Sequence, residues 1–114
     1  MNVLPNALND YLDFTTSAEY PLLAQLRRET HVKTLNPRQL SGPYQGMLLQ
    51  LFCSMLKPQL AVEIGTFTGY SAISIALELP NYIKLISIEA NKELKSFHSK
   101  YYSLAGLDNV IEKI

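Results

Sequence analysis

The chain has 114 residues, ten basic and ten acidic side chains, and a formal net charge of +0. This length holds one domain at most, and 47% hydrophobic with 18% charged residues describes a folded globular chain, not a disordered one. The charge balance advertises neither a nucleic-acid nor an anionic-membrane surface, and the one cysteine, Cys53, excludes an internal disulfide framework.

Residues 3–14 place apolar side chains at the spacing of a helix with one broad apolar face, with Pro5 in its first turn. Thr15-Thr16-Ser17 is a polar break able to cap a second helix. Pro21 opens that helix over 21–34, with Leu22, Leu23, Leu26 and Val32 inward. Arg27, Arg28, Glu29 and Lys33 fall on its solvated side. Loop signals at Asn36-Pro37 and Ser41-Gly42-Pro43 precede a third helix over 43–56. Its stripe of Met47, Leu48, Leu51, Phe52 and Met55 reads as core, and Gly46 permits close approach of a ligand or a neighbour. Cys53, in this apolar pattern, reads as a buried, inert thiol. No apolar run reaches transmembrane length, and Asn9, Asp10 and Asp13 stand where a basic signal start would lie, so the expected location is cytoplasmic.

The apolar run 60–64 reads as a buried strand that breaks into the loop Gly65-Thr66-Phe67-Thr68-Gly69. Next come a helix over 70–79, a turn at Pro80-Asn81 and a strand over 83–89. Asn91 caps a helix to about Ala105, Gly106 stops it, and a third strand begins over 110–114. Three leading helices and then β-α-β-α-β make the first half of a doubly wound α/β sheet. The expected organisation is a single partial domain, with leading helices over 1–56 and the first half of the sheet over 57–114. So short a parallel sheet leaves an open apolar edge, which points to a fragment of a longer protein or to an edge covered by another chain.

Strand, glycine loop and helix start present backbone N–H groups to a nucleotide-like ligand. The spacing is G-x-x-x-G, with Phe67 where a dinucleotide site wants its middle glycine, which disfavours a nicotinamide-dependent oxidoreductase. Gly69-Tyr70-Ser71 lacks the lysine of a P-loop, so the ligand is expected to lack a pyrophosphate. Glu63, ahead of the first glycine, repels phosphates and attracts an ammonium or sulfonium group. Glu89, about 20 residues after Gly69, stands where such folds place the acid that binds ribose hydroxyls. A nucleoside with a cationic amino-acid arm meets these constraints, and S-adenosylmethionine is such a molecule.

The stretch Val62-Glu63-Ile64-Gly65-Thr66-Phe67-Thr68-Gly69-Tyr70-Ser71 resembles the first motif of catechol and caffeoyl-CoA type O-methyltransferases. Arg27-Arg28-Glu29-Thr30, Leu40-Ser41-Gly42-Pro43-Tyr44-Gln45-Gly46 and Ile86-Ser87-Ile88-Glu89-Ala90-Asn91 are similar to small bacterial members at matching spacing. The resemblance implies the N-terminal half of a Rossmann-like methyltransferase fold with an incomplete sheet. It implies that Glu63 holds the methionine amino end, that Gly65 and Thr66 touch the cofactor through the backbone, and that Ser71 binds its carboxylate. Glu89 would take the ribose hydroxyls, and Ser41 matches a further cofactor contact.

In that family the divalent-metal ligands, the adenine-binding loop and the catalytic residue lie beyond the third strand. The chain is therefore expected to hold half a cofactor site and no metal site, and not to catalyse methyl transfer alone. The implied acceptor is a small phenolic or catechol-like hydroxyl, and the implied assembly a homodimer with its leading helices near the interface. The rival reading is a non-catalytic, truncated dimerisation or interaction module. Tyr70 reads as a packing residue, Phe97, Tyr101 and Tyr102 as packing or an interface patch, and His31 and His98 as solvated or structural.

Overall fold

Three short runs rich in aliphatic residues decide where the sheet lies. The structure, a computed structural model, describes residues 4–114. Strands β1 (Ala61–Ile64), β2 (Leu85–Ile88) and β3 (Ile111–Lys113) pair in parallel in the order β1-β2-β3. The register sets Glu63 opposite Ser87, and Ser87 opposite Lys113. Parallel neighbours require crossover connections. Helix α4 (Tyr70–Leu77) supplies the first, and a 3-10 turn (Lys92–Leu94) running into α5 (Lys95–Leu104) supplies the second. Ahead of the sheet come α1 (Asn6–Thr15), α2 (Pro21–Lys33), a 3-10 turn (Pro37–Gln39) and α3 (Gly42–Leu56). Order and type of elements match the sequence expectation, with ends moved by a few residues.

Helix α4 is the middle of the packing. Tyr70, Ala72, Ile73, Ser74 and Ala76 are all buried, because α3, α2 and β2 all pack against this helix. The core continues through Leu23, Leu26, Leu85, Tyr101, Tyr102 and Ile111. Gly46 serves a neighbour: a Cβ there would lie 2.9 Å from both Ser74 Oγ and Tyr70 Cε1 on α4. Because Gly46 has no side chain, α3 approaches α4 closely here.

Other expectations need correction. Apart from half-buried Met47, the α3 stripe is not core: Leu48, Leu51, Phe52 and Met55 are 49% to 70% exposed, because α3 meets α4 along its Gly46 side and nothing described covers the rest. Strand β1 is an edge strand, not a buried one; its outward Ile64 is 82% exposed. No residue of α1 is buried, so its apolar face is uncovered too. Pro5 precedes that helix instead of lying in its first turn, and the expected start at Val3 lies outside the described residues. Tyr20, not the Thr15-Thr16-Ser17 break, borders α2, and no side chain caps it. Val32 is 77% exposed; the inward stripe is Leu23, Leu26 and Thr30, with Leu22 partly buried against the core.

The charged side of α2 does more than meet water. Arg27 grips Glu19 through Nε and Nη2, the latter at 2.8 Å, and the Tyr70 hydroxyl donates to the same carboxylate. Glu29 takes Lys33 at 2.7 Å and Lys100 at 3.0 Å, and also accepts from the Tyr101 hydroxyl, joining α2 to α5. Cys53 is half-buried, and desolvation pushes its thiol up, away from reactivity.

Candidate functional site

The loop between β1 and α4 turns on backbone conformations that favour glycine. Gly65 has φ 88 and Gly69 has φ 105, in the left-handed region. An added Cβ at Gly65 would meet no heavy atom within 4 Å, so the space before the loop is open there. At Gly69 it would lie 2.9 Å from Tyr102 Cε1, so this glycine also makes room for an α5 ring.

Side chains from other elements tether the three residues between the glycines. The Thr30 hydroxyl donates to the Leu26 carbonyl at 2.7 Å, so its contact with Thr68 Oγ1 at 2.9 Å has Thr68 as donor. Ser87 Oγ donates to Glu63 Oε1 at 3.0 Å, which makes Thr66 the donor in the Thr66–Ser87 pair. The N–H of Phe67 donates to Glu89 Oε1 at 2.7 Å. Its carbonyl lies 2.6 Å from His98 Nε2, and because a carbonyl only accepts, Nε2 carries the proton. The loop is thus held from α2, β2 and α5 before any ligand arrives.

The two acids have opposite electrostatics. Burial pushes the Glu63 carboxyl up; the Ser71 and Ser87 hydroxyls recover only part of this, and the charge of Glu89 adds to the rise. For Glu89, desolvation also acts upward, but the N–H groups of Asn91 and Phe67 outweigh it and hold the carboxyl below its usual range. Glu89 Oε2 accepts from the Asn91 N–H at 3.0 Å. A carboxylate offers about four lone-pair sites, so its backbone contacts still leave acceptor capacity for a diol. Burial pushes His98 down, which keeps the ring neutral at pH 7.

Two hollows meet at Thr66. The larger, about 350 Å³, is lined by Thr66, Ser87, Glu89, Asn91, Lys95 and His98 among others. Its size lies at the small end of ligand sites. The smaller holds Ser41, Gly65, Thr66, Phe67 and Ser71 in its wall. Of the six residues singled out from the sequence, Ser41, Gly65, Thr66 and Ser71 therefore share one hollow, and Glu89 shares the other with Thr66. Glu63 lines neither; it stands at the end of β1, joined to Ser71 and Ser87. The Ser71 hydroxyl spends its one proton on Glu63, so as arranged it has none to give a ligand carboxylate. Ser41 makes no capping bond and keeps its hydroxyl free of that duty.

Sequence reasoning missed Thr30, Thr68 and Ser87 and left His98 as either solvated or structural. A signal existed for some of them: Thr30 falls on the Leu23/Leu26 face of α2, and Ser87 shares the Leu85 face of β2. Polar residues at core positions need partners. His98 is 4% exposed and stacks on Tyr102, whereas His31 is exposed with Nδ1 2.9 Å from the Arg27 carbonyl. Tyr70, Tyr101 and Tyr102 are buried in the core. Among the described residues, no group of three or more His, Cys, Asp or Glu side chains stands ready to hold a metal ion.

Comparison with known proteins gives a consistent picture. A family model described as O-methyltransferase matches residues 13–114. A flavonoid 3',5'-methyltransferase of Vitis vinifera is 30% identical over 112 residues, covering 95% of this chain and 47% of that protein. A caffeoyl-CoA O-methyltransferase of Stellaria longipes is 30% identical over 94 residues, covering 81% of this chain and 38% of that protein. The crystal structure of the O-methyltransferase TomG of Streptomyces achromogenes, in complex with S-adenosylmethionine, superposes with a TM-score of 0.83 at 26% identity, covering 94% of this chain and 48% of that one. The chain spans half or less of the length of each of these proteins.

Proposed function

The chain belongs to the O-methyltransferase family, and from that premise we propose that it forms the cofactor-holding N-terminal part of an S-adenosylmethionine-dependent O-methyltransferase. The observation that carries the reading is Glu89: an ionised carboxylate in the wall of a cavity of about 350 Å³, with acceptor capacity left after holding the glycine loop. When bound, S-adenosylmethionine supplies an electrophilic methyl group. The chain's own residues bind and orient. Glu89 accepts from the ribose hydroxyls, and the backbone of Gly65 and Thr66 faces the amino-acid arm. Glu63 offers the ammonium a buried negative charge, which such a partner stabilises. The first-turn N–H groups of α4, unpaired within the helix, suit the carboxylate, and Ser41 flanks the same hollow.

The acceptor in this reading is a small phenolic or catechol-like hydroxyl, and methyl transfer by this chain alone is not expected. The described residues do not fit a divalent metal, so no step is assigned to one; its ligands, like the catalytic residue, belong to the reading of a longer protein. Homodimer formation is supported by the open apolar side chains of α3, Leu48, Leu51, Phe52 and Met55. The same face supports the second reading, a non-catalytic interaction module. No helix among the described residues is long and apolar enough to cross a membrane; the cytoplasmic reading is carried by the sequence signals, to which the lone cysteine adds.

Calorimetric titration of the 114-residue chain with S-adenosylhomocysteine, with its mass in solution measured alongside, tests the reading. Saturable binding weakened at least tenfold in Glu89→Ala, with the fold retained, is the expected result; tenfold corresponds to about 1.4 kcal/mol. Unchanged affinity removes Glu89 from the site. A folded dimer without binding favours the interaction module.

A further inference from the structure

Phe67 is the one non-glycine residue of the loop in the left-handed region, with φ 52. A bulky side chain disfavours this conformation, so it persists only where the surroundings impose it. Here both backbone polar groups of Phe67 are taken by side chains. Glu89 accepts its N–H, and His98 donates from Nε2 to its carbonyl. The His98 ring stacks on Tyr102, one helical turn further along α5, with centroids 5.4 Å apart and planes within 7°. The Tyr102 ring edge in turn fills the space beside the Cα of Gly69. Two residues on one face of α5 therefore touch two separate points of the loop, one polar and one steric.

We propose that His98 is a positioning residue for the cofactor loop: with Glu89 on the N–H, it holds the left-handed Phe67 that turns the backbone of Gly65 and Thr66 toward the ligand. The role rests on the methyltransferase reading of the loop. His98 acts through Phe67 and not on the reacting atoms. A neutral imidazole protonated at Nε2 leaves Nδ1 bare, so the geometry fixes one tautomer. Burial of the ring, 4% exposed, and its stack on Tyr102 keep it from rotating away.

His98→Phe keeps a ring to stack on Tyr102 and removes the donor; His98→Gln replaces the ring with an amide that restores an N–H. In the 114-residue chain, His98→Phe is expected to weaken S-adenosylhomocysteine binding about tenfold, and His98→Gln to recover most of it. Amide hydrogen exchange without ligand is expected to rise at Phe67 and Gly69 in His98→Phe, with β1 and β2 unchanged. Nitrogen NMR of the unmodified chain is expected to show His98 protonated at Nε2. Wild-type affinity in a folded His98→Phe, or unaltered loop exchange, overturns the proposal. So does an Nδ1-protonated ring, a result that needs no variant to fold. If the unmodified chain does not bind at all, the cofactor reading fails separately, and loop exchange and tautomer still judge His98.

Discussion

Replacing Glu63 by glutamine sets binding against stability at one atom. The side chain keeps its shape, and an amide can still meet Ser71 with one end and Ser87 with the other. What it loses is the charge. In the cofactor reading that charge faces an ammonium group, and a hydrogen bond involving a charged group contributes about 1.5–3 kcal/mol, or roughly 10- to 150-fold in affinity. Stability moves the other way. Burial raises the Glu63 carboxyl above the ordinary value of 4.5 that it has when unfolded. A group whose folded pKa is raised favours folding fully only below its unfolded value, and that contribution is lost as pH rises through the folded value. At pH 7 burying the Glu63 carboxyl is therefore a net cost, and Glu63→Gln removes it.

The expected result is a variant that melts at or above the wild-type temperature at pH 7, with the difference vanishing on acidification below about pH 4, where the carboxyl is neutral in both states. Its affinity for S-adenosylhomocysteine falls by at least tenfold in calorimetry. A variant that binds like the wild type, or that melts several degrees lower at pH 7, would refute the reasoning. The first outcome removes the ammonium contact, and the second shows that the Ser71–Glu63–Ser87 network outweighs the cost of burying the charge.

Gly46→Ala introduces a Cβ 2.9 Å from Ser74 Oγ and Tyr70 Cε1, both on buried α4 side chains that have little room to yield. Overpacking costs about 1–3 kcal/mol, against about 1 kcal/mol gained in helix propensity, so denaturant unfolding should show a net loss; a stabilised variant would mean α3 slides freely on α4. Glu29→Gln weakens the link between α2 and α5 by removing the charge that pairs with Lys33 and Lys100. Lys33 and the Tyr101 hydroxyl lead the groups that hold the Glu29 carboxyl down to about 2, below its unfolded 4.5. That stabilisation is present above the unfolded value and lost as pH falls through the folded one. Thermal unfolding should therefore show Glu29→Gln less stable at pH 7, with the gap closing between about pH 4.5 and 2; a gap independent of pH assigns the loss to packing.

Much of this molecule is written locally. Alternation of aliphatic runs with helical spacing yields the order α-α-α-β-α-β-α-β, and Gly65, Gly69 and Gly106 mark turns where the backbone takes positive φ. The position of Glu63 before the loop and Glu89 at the next strand end comes from the same local signals, since a strand-loop-helix unit has a fixed length scale. Such features depend on neighbours a few residues away, so a single sequence carries them.

Only the tertiary structure decided what holds the loop. Thr30 meets Thr68, His98 meets Phe67 and Ser87 meets Glu63 across 38, 31 and 24 residues, and no local periodicity encodes those pairings. Exposure of the α3 stripe has the same origin. The sequence makes Leu48, Leu51, Phe52 and Met55 apolar, but whether an apolar face is core depends on which element lies against it, and α4 lies against Gly46. Hydrophobic patterning states what a helix can bury; the packing of the other helices and the sheet settles what it does bury.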